Sequence, residues 1–351
     1  MMNSRGSPDP ADEQRPLVSF FVASYKQEKY TRAAVEGAFS QTYSPLEIIL
    51  SDDDSPDATF EIMKEMASSY GGPHKVIINQ NSPNRGLVGN VNQLMKLSSG
   101  EFIVKSDGDD ISKPDRVEKL VAHWLASKKT AKLLFSATTP IDEKGAVIQE
   151  HVPGRSLPDI IRERPTPLRI VKNDLYARGA TLSWSRELFD KFGPMSEIAI
   201  ADDSILPFRA AAIGEILYID EPLVYHRVGG MSWLDQSKSL RNEKMYGRRI
   251  NLYQNHIESK KAILKDLRKI EIDNFDEIEK HIYRYIKEQN YRIELSKMKV
   301  SELFLSVPIS TIKSILNFRL HYVYLNFKYI VYSVIYKPFY LPGEVSKGRD
   351  S

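Results

Sequence analysis

Between residue 17 and about residue 130, short apolar runs alternate with segments whose apolar residues recur every three or four positions. The runs LVSFFVA (17–23), LEIIL (46–50), KVIIN (75–79) and EFIVKS (101–106) are predicted strands. Helices are predicted near residues 28–41, 58–69, 88–97 and 114–126. Strands that are apolar throughout, with helices between them, imply an α/β fold whose mostly parallel sheet is covered on both faces. In such sheets ligands sit beyond the carboxyl ends of the strands. Those positions are therefore where chemistry is sought.

The middle of the chain is mixed. KLLFSAT (132–138) and GATLSWS (179–185) read as strands, and RELFDKFG (186–193) as a short helix. ADDSILPFRAAAIG (201–214) reads as a helix opened by Asp202 and Asp203, and EILYIDEPLVYHRV (215–228) as two short strands. Residues 236–300 form a charged helical region.

In the tail, 301–351, apolar residues at Ile312, Ile315, Leu316, Leu320, Val323, Tyr324, Phe327 and Val331 describe one helical face. Lys313, Arg319, His321, Lys328 and Lys337 interrupt it, and no acidic residue occurs between Glu302 and Glu344. Basic charge beside an aromatic-rich face suits a helix lying in an anionic membrane surface. The alternative is a helix packed on the α/β domain or on a second subunit, which leaves a homo-oligomer open.

Composition narrows the field. The 351 residues contain 49 basic and 46 acidic side chains, for a net charge of +3. That balance gives no reason to expect a nucleic-acid partner. There are no cysteines, which removes disulfides, thiolate metal sites and cysteine nucleophiles. The polar, proline-containing lead-in 1–16 lacks an apolar core of signal-peptide length. No stretch reaches the length of apolar sequence that a spanning helix needs.

Carboxylates cluster just past the ends of two strands. Ser51-Asp52-Asp53-Asp54-Ser55-Pro56-Asp57 comes after the second strand and Asp107-Gly108-Asp109-Asp110 after the fourth. Two acidic clusters on one sheet edge repel each other, so something cationic is expected there. Two carboxylates flanking a glycine that permits close backbone approach can hold a divalent ion against a diphosphate. Taken alone the tetrapeptide is equally a turn or a helix cap. A carboxylate among Asp52 to Asp57 can accept the imide N–H of uracil or thymine, or else close a turn and cap a helix.

Taken together, the motifs resemble the family 2 glycosyltransferases, which have the GT-A fold. The likeness runs from about Leu17 to Ser232. It rests on Val22-Ala23-Ser24-Tyr25-Lys26-Gln27 with Glu28, on Phe39-Ser40-Gln41-Thr42-Tyr43, and on the Asp52 to Asp57 cluster. It continues through Asn84-Arg85-Gly86 with Asn92, the Asp107 to Asp110 cluster, Asp202-Asp203 with Leu206 and Arg209, and Asp220-Glu221-Pro222-Leu223-Val224-Tyr225.

The resemblance implies a GT-A catalytic domain over 17–235 with a C-terminal helical extension. It implies that Ser24, Tyr25, Glu28 and one of Asp52 or Asp53 bind the nucleoside, that Asp107 lies near the ribose, and that Asp109 leads the ligation of Mn²⁺ or Mg²⁺. Asp203 would be the catalytic base, deprotonating an acceptor hydroxyl while a nucleoside-diphosphate sugar gives up its sugar with inversion. A lipid-linked saccharide at the cytoplasmic face of the cell membrane is the expected acceptor, in surface-polysaccharide assembly.

At the start of a helix, Asp203 is expected to stay ionised at neutral pH. Ala23 and Lys26 stand where the family often has proline and asparagine. Val91 stands where an arginine is common, a role Arg85 would take over. His226 lies two positions early for the family's histidine, which points it to surface or packing on the opposite face. The rival readings are a nucleotidyltransferase and a membrane-bound nucleotide-sugar-binding scaffold without turnover. The absence of glycine between Ala23 and Glu28 opposes the first. The intact Asp107, Asp109 and Asp203 oppose the second.

Overall fold

Three strand–helix repeats and a fourth strand build the first half. In the computed structural model, which describes residues 15–154, 158–162, 165–197, 199, 202–229 and 244–297, they run in chain order. They are β1 (Val18–Ser24), α1 (Thr31–Phe39), β2 (Leu46–Asp52), α2 (Thr59–Ser69), β3 (Lys75–Gln80), α3 (Gly86–Leu97) and β4 (Phe102–Asp107). β1 pairs in parallel with β2 and β4, and β2 with β3. Alternation along β1 sends Phe20 and Val22 to the face covered by α1 and α2, and Phe21 to the face covered by α3. Each such side chain, fully buried, contributes roughly 1.5–3 kcal/mol.

The second half completes the sheet. β5 (Ile111–Ser112) leads to α4 (Arg116–Ala126) and β6 (Ala131–Ile141). Short helices α5 (Asp159–Arg162) and α6 (Pro167–Lys172) come next, then β7 (Ser183–Ser185) and α7 (Glu187–Phe192). α8 (Ile205–Ile213) and β8 (Glu215–Arg227) end the sheet-forming part. The strand order is β3-β2-β1-β4-β7-β6-β8-β5. β7 is antiparallel to both β4 and β6, so β6 and its parallel partner β8 run the same way as β1, β2 and β4. Their carboxyl ends therefore share one edge.

Three local expectations change. Of the strand read over 179–185, only Ser183–Ser185 joins the sheet, and Gly179–Thr181 forms a 3-10 turn. Residues 215–227 form one strand rather than two, because the ladder to β6 absorbs Asp220 and Glu221 in a register shift between Ser136 and Ala137. Pro222, which has no N–H to give, enters the ladder immediately after the shift. α8 begins at Ile205 with Ser204 as its N-cap, so Asp202 and Asp203 precede the helix instead of opening it.

The charged region predicted to be helical contains α9 (Lys244–Leu267) and α10 (Phe275–Lys297). Ala262, Ile263 and Leu267 of α9 and Ile278 and Ile282 of α10 enter the same core as Ile205 and Phe208 of α8. Arg209 of α8 makes a two-pronged buried pair with Asp266 of α9, at 2.7 and 3.2 Å. α9, and α10 as far as Ile293, belong to the first compact unit of the chain. The tail 301–351 lies outside the described residues. Among those described, no helix is long and apolar enough to cross a membrane.

Candidate active site

The carboxyl ends of three adjacent strands meet here. Ser24 ends β1 opposite Asp52 of β2, and Ala23 is opposite Asp107 of β4. Local chemistry then divides the acidic residues into those that build the loops and those that face the site.

Asp53 builds. Its Oδ1 accepts the Asn81 side-chain N–H at 2.8 Å and the Arg85 backbone N–H at 3.0 Å, which fixes the approach to α3. Asp52 closes a turn by accepting the Ser55 N–H at 3.0 Å, while its buried Oδ1 has no hydrogen-bond partner among the described residues. Of the pair, it is Asp52 that keeps a buried oxygen without a partner. Glu28 is exposed and accepts the Ala58 N–H at 3.1 Å at the start of α2. Tyr25 is half-buried, with the Lys26 ammonium 4.9 Å from its ring centroid. Arg85 is bound to Glu197 at 2.6 Å and to Gln93 at 3.2 Å, so any diphosphate it meets must compete with Glu197.

Gly108 is the point of closest approach. A Cβ there would lie 1.9 Å from Ser24 Oγ and 2.3 Å from Gln27 Oε1. Both oxygens are buried and without a hydrogen-bond partner in the described structure. Gln27 has a place at the site that its motif did not assign. The only signal in the sequence is its neighbourhood with Ser24.

One cation at this edge is Lys105, which answers Asp107 but not the Asp52 to Asp57 cluster. Buried on β4, it lies 3.1 Å from Asp107 Oδ1 and 3.1 Å from Asp202 Oδ2, and reaches the Gly179 carbonyl at 3.5 Å. Burial is the largest influence and opposes its charge, but Asp107 and Asp202 together outweigh it and raise its pKa. One lysine inside an otherwise apolar strand was the trace it left in the sequence.

Asp202 is fully buried in this pairing, whereas Asp203 beside it is part-exposed. Burial first, and the Asp202 charge second, push the Asp203 carboxyl up to about 7. The expectation that helix dipoles hold it ionised at neutral pH is thereby corrected. The helix starts two residues later, and desolvation beside a like charge dominates.

Asp110 is structural. Both its oxygens lie 3.1 Å from His226 Nδ1, and it accepts the Arg227 N–H at 2.8 Å. His226 thus stands against the acidic loop, not on a remote face. The hydrogen bond to Asp110 raises its pKa despite burial. Arg227 donates to the Asp109 carbonyl at 3.0 Å, so the end of β8 clamps the loop that carries Asp109. Trp184, an aromatic that could have met a sugar, lies in the core against Phe21. Trp233 lies outside the described residues.

Asp107 and Asp109 supply only oxygen, the donor that hard divalent cations prefer. Asp107 gives one oxygen to Lys105 and remains 28% exposed. Among the described residues, no three histidine or acidic side chains gather around a common point. Mg²⁺-type ions are commonly held by one or two carboxylates, with phosphate oxygens and water completing the shell. The residues fit an ion shared with a diphosphate.

Residues 19–178 match the model of the family described as Glycosyl transferase family 2. EpsE of Bacillus subtilis, described as a glycosyltransferase, is 35% identical over 141 residues, 39% of this chain and 50% of EpsE. WfaP of Escherichia coli is a UDP-Glc:alpha-D-GlcNAc-diphosphoundecaprenol beta-1,3-glucosyltransferase. It is 33% identical over 132 residues, 38% of this chain and 49% of WfaP. The matches span about half the length of these relatives. The solved mannosyltransferase PcManGT from Pyrobaculum calidifontis, in complex with GDP-Man and Mn2+, aligns with 95% of this chain and 90% of its own. The TM-score is 0.51 at 16% identity, a likeness of fold. With the motif order, the sheet and the family match in agreement, residues 19–178 form a glycosyl transferase family 2 domain, and the sheet carries the GT-A fold.

Proposed function

We propose that the protein is an inverting transferase that moves a sugar from a nucleoside diphosphate to an acceptor hydroxyl. One observation carries this reading: Lys105 ties Asp107, at the donor end of β4, to Asp202, and Asp203 stands next to that pair with its carboxyl raised to about 7. A base whose pKa lies near the working pH combines a usable ionised fraction with real proton affinity. Asp203 takes the proton of the acceptor hydroxyl as that oxygen bonds to the anomeric carbon, and the bond from that carbon to the diphosphate oxygen breaks. A single displacement inverts the configuration.

On the donor side, Asp52 accepts from the base, with Asp53 holding its loop in place. Ser24, Tyr25, Glu28, Arg85 and Gly108 shape the nucleotide pocket. Asp109 and Asp107 would hold Mn²⁺ or Mg²⁺, which supplies positive charge to the departing diphosphate when bound.

We assign a lipid-linked saccharide as acceptor and the inner face of the cell membrane as location, in surface-polysaccharide assembly. This is supported by the acceptor in the name of WfaP and by the basic, amphipathic sequence of residues 301–351. The test is slow hydrolysis of a panel of nucleotide sugars with Mn²⁺, monitored by proton NMR. The expected outcome is one preferred donor, hydrolysis abolished by chelation, and a first-formed sugar of inverted configuration. A first product that retains configuration would defeat the single displacement.

A further inference from the structure

A cleft of about 810 Å³ opens beside the carboxylates, against β6 and β8. Its wall at residues 173–178 runs into the site, because Ala177 N–H donates to the Asp203 carbonyl at 3.0 Å. Its floor is polar: the Tyr218 hydroxyl donates to Asp220 at 3.2 Å, and His151 lies 2.9 Å from the same carboxylate. Arg178 lines the cleft, is exposed, and has no ion-pair partner among the described residues.

At the mouth and beside it the surface is apolar. Val147, Ile148, Val152, Tyr176 and Val228 are 44, 56, 51, 60 and 43% exposed. They are neighbours in the fold. Val147 bridges to Ile141, Ile148 N–H donates to the Pro140 carbonyl at 2.9 Å, and Val228 N–H donates to the Ile141 carbonyl at 2.8 Å. Val152 and Tyr176 line the cleft itself. Ten large apolar residues are exposed among those described; three of these five sit at one end of β6 and β8, and the other two line the cleft against those strands. The rest are dispersed over β3, α3, α4 and α10. Exposed apolar residues are ordinary when single; a group of them around a polar cleft marks a binding surface.

We propose that this cleft takes an amphipathic acceptor: a saccharide on the polar floor, a phosphate linkage at Arg178, and an apolar chain across Val147, Ile148, Val152, Tyr176 and Val228. The inference rests on the transferase reading and deepens it by giving the lipid-linked acceptor its own surface. The occupant is the acceptor's chain, not bulk membrane, because Val152 and Tyr176 line the cleft and Ala177, between Tyr176 and Arg178, is bound to Asp203. A free saccharide would use the floor and leave the mouth without a partner.

Calorimetric titration of the full chain with inorganic phosphate, butyl phosphate and decyl phosphate, all below their aggregation concentrations, tests this. Burying a methylene is worth about fourfold in affinity, so even shallow seating of the chain makes decyl phosphate bind about tenfold or more tighter than phosphate. Ile148→Ser with Val152→Ser and Tyr176→Ser should cut that gain to about threefold or less. Arg178→Gln should weaken all three probes together and preserve the gain. If the triple variant fails to melt cooperatively, Ile148→Ser alone must still show a smaller gain.

No chain-length dependence in the wild type, or an undiminished gain in the variants, overturns the proposal. So does binding to phosphatidylcholine vesicles that depends on the same residues while the monomeric esters are not discriminated. A parallel titration with UDP and GDP in Mn²⁺ separates the two readings. A chain that binds the esters and neither nucleotide sinks the transferase reading and keeps the apolar surface. A chain that binds a nucleotide and shows no ester preference does the reverse.

Discussion

Asp203→Asn should make the protein more stable and nearly inactive, and both effects should depend on pH in a stated direction. The carboxyl has its pKa raised from 3.8 to about 7, with burial the first cause and Asp202 the second. A raised carboxyl means that the folded state holds the proton more tightly than the unfolded chain. Its favourable contribution is therefore complete below 3.8, declines as pH rises, and is gone above about 7. At about 1.36 kcal/mol per pH unit, that rise corresponds to about 4 kcal/mol as an upper bound. Water reaching a part-exposed carboxylate reduces this, and about 1–2 kcal/mol is the working figure.

Asparagine, close in shape to the protonated acid, escapes the penalty at all pH values. The variant should melt about 2–6 °C above wild type at pH 8 and close to it at pH 4.5. Turnover should fall by about 10²-fold or more, with donor affinity retained. Wild-type turnover should rise with pH through about 7 and level off. Melting curves at both pH values and a pH–rate profile are the assays. An equal difference in melting temperature at pH 4.5 and 8, or near-normal turnover by the variant, would refute the reasoning.

Lys105→Met removes the charge between Asp107 and Asp202 and leaves a buried carboxylate uncompensated, so urea unfolding should show a loss of about 3–5 kcal/mol. Because Lys105 holds the Asp203 pKa down, the midpoint of the pH–rate profile should also move to higher pH, and a loss below about 1 kcal/mol would contradict the pairing. Gly108→Ala places a methyl group 1.9 Å from Ser24 Oγ and 2.3 Å from Gln27 Oε1. Overpacking of about 1–3 kcal/mol should weaken nucleoside-diphosphate binding about tenfold in a titration, and unchanged affinity would show that the loop yields freely.

Residue chemistry and spacing determined much of this molecule without help from its tertiary structure. β1, β2 and β4 were legible because a buried parallel strand is a continuous apolar run, and such runs end where Ser24, Asp52 and Asp107 begin; β3, partly exposed at the sheet edge, was legible from its short run VII. Carboxylates after the second and fourth strands were bound to share an edge, since a parallel sheet brings its carboxyl ends together. The demand for a cation near them came from like-charge repulsion.

Other decisions belonged to the tertiary structure. Asp53 is consumed by the approach to α3 and Asp110 by His226, while Asp52 keeps a buried oxygen without a partner. The cation that answers Asp107 comes from Lys105 inside a strand, and it binds Asp202 from a distant part of the chain. Asp266, far beyond the recognisable motifs, anchors α8 through Arg209. A hydrogen bond or ion pair between remote residues leaves no spacing to read. The charge of a group such as Asp203 depends on how much water its fold admits, which only packing sets.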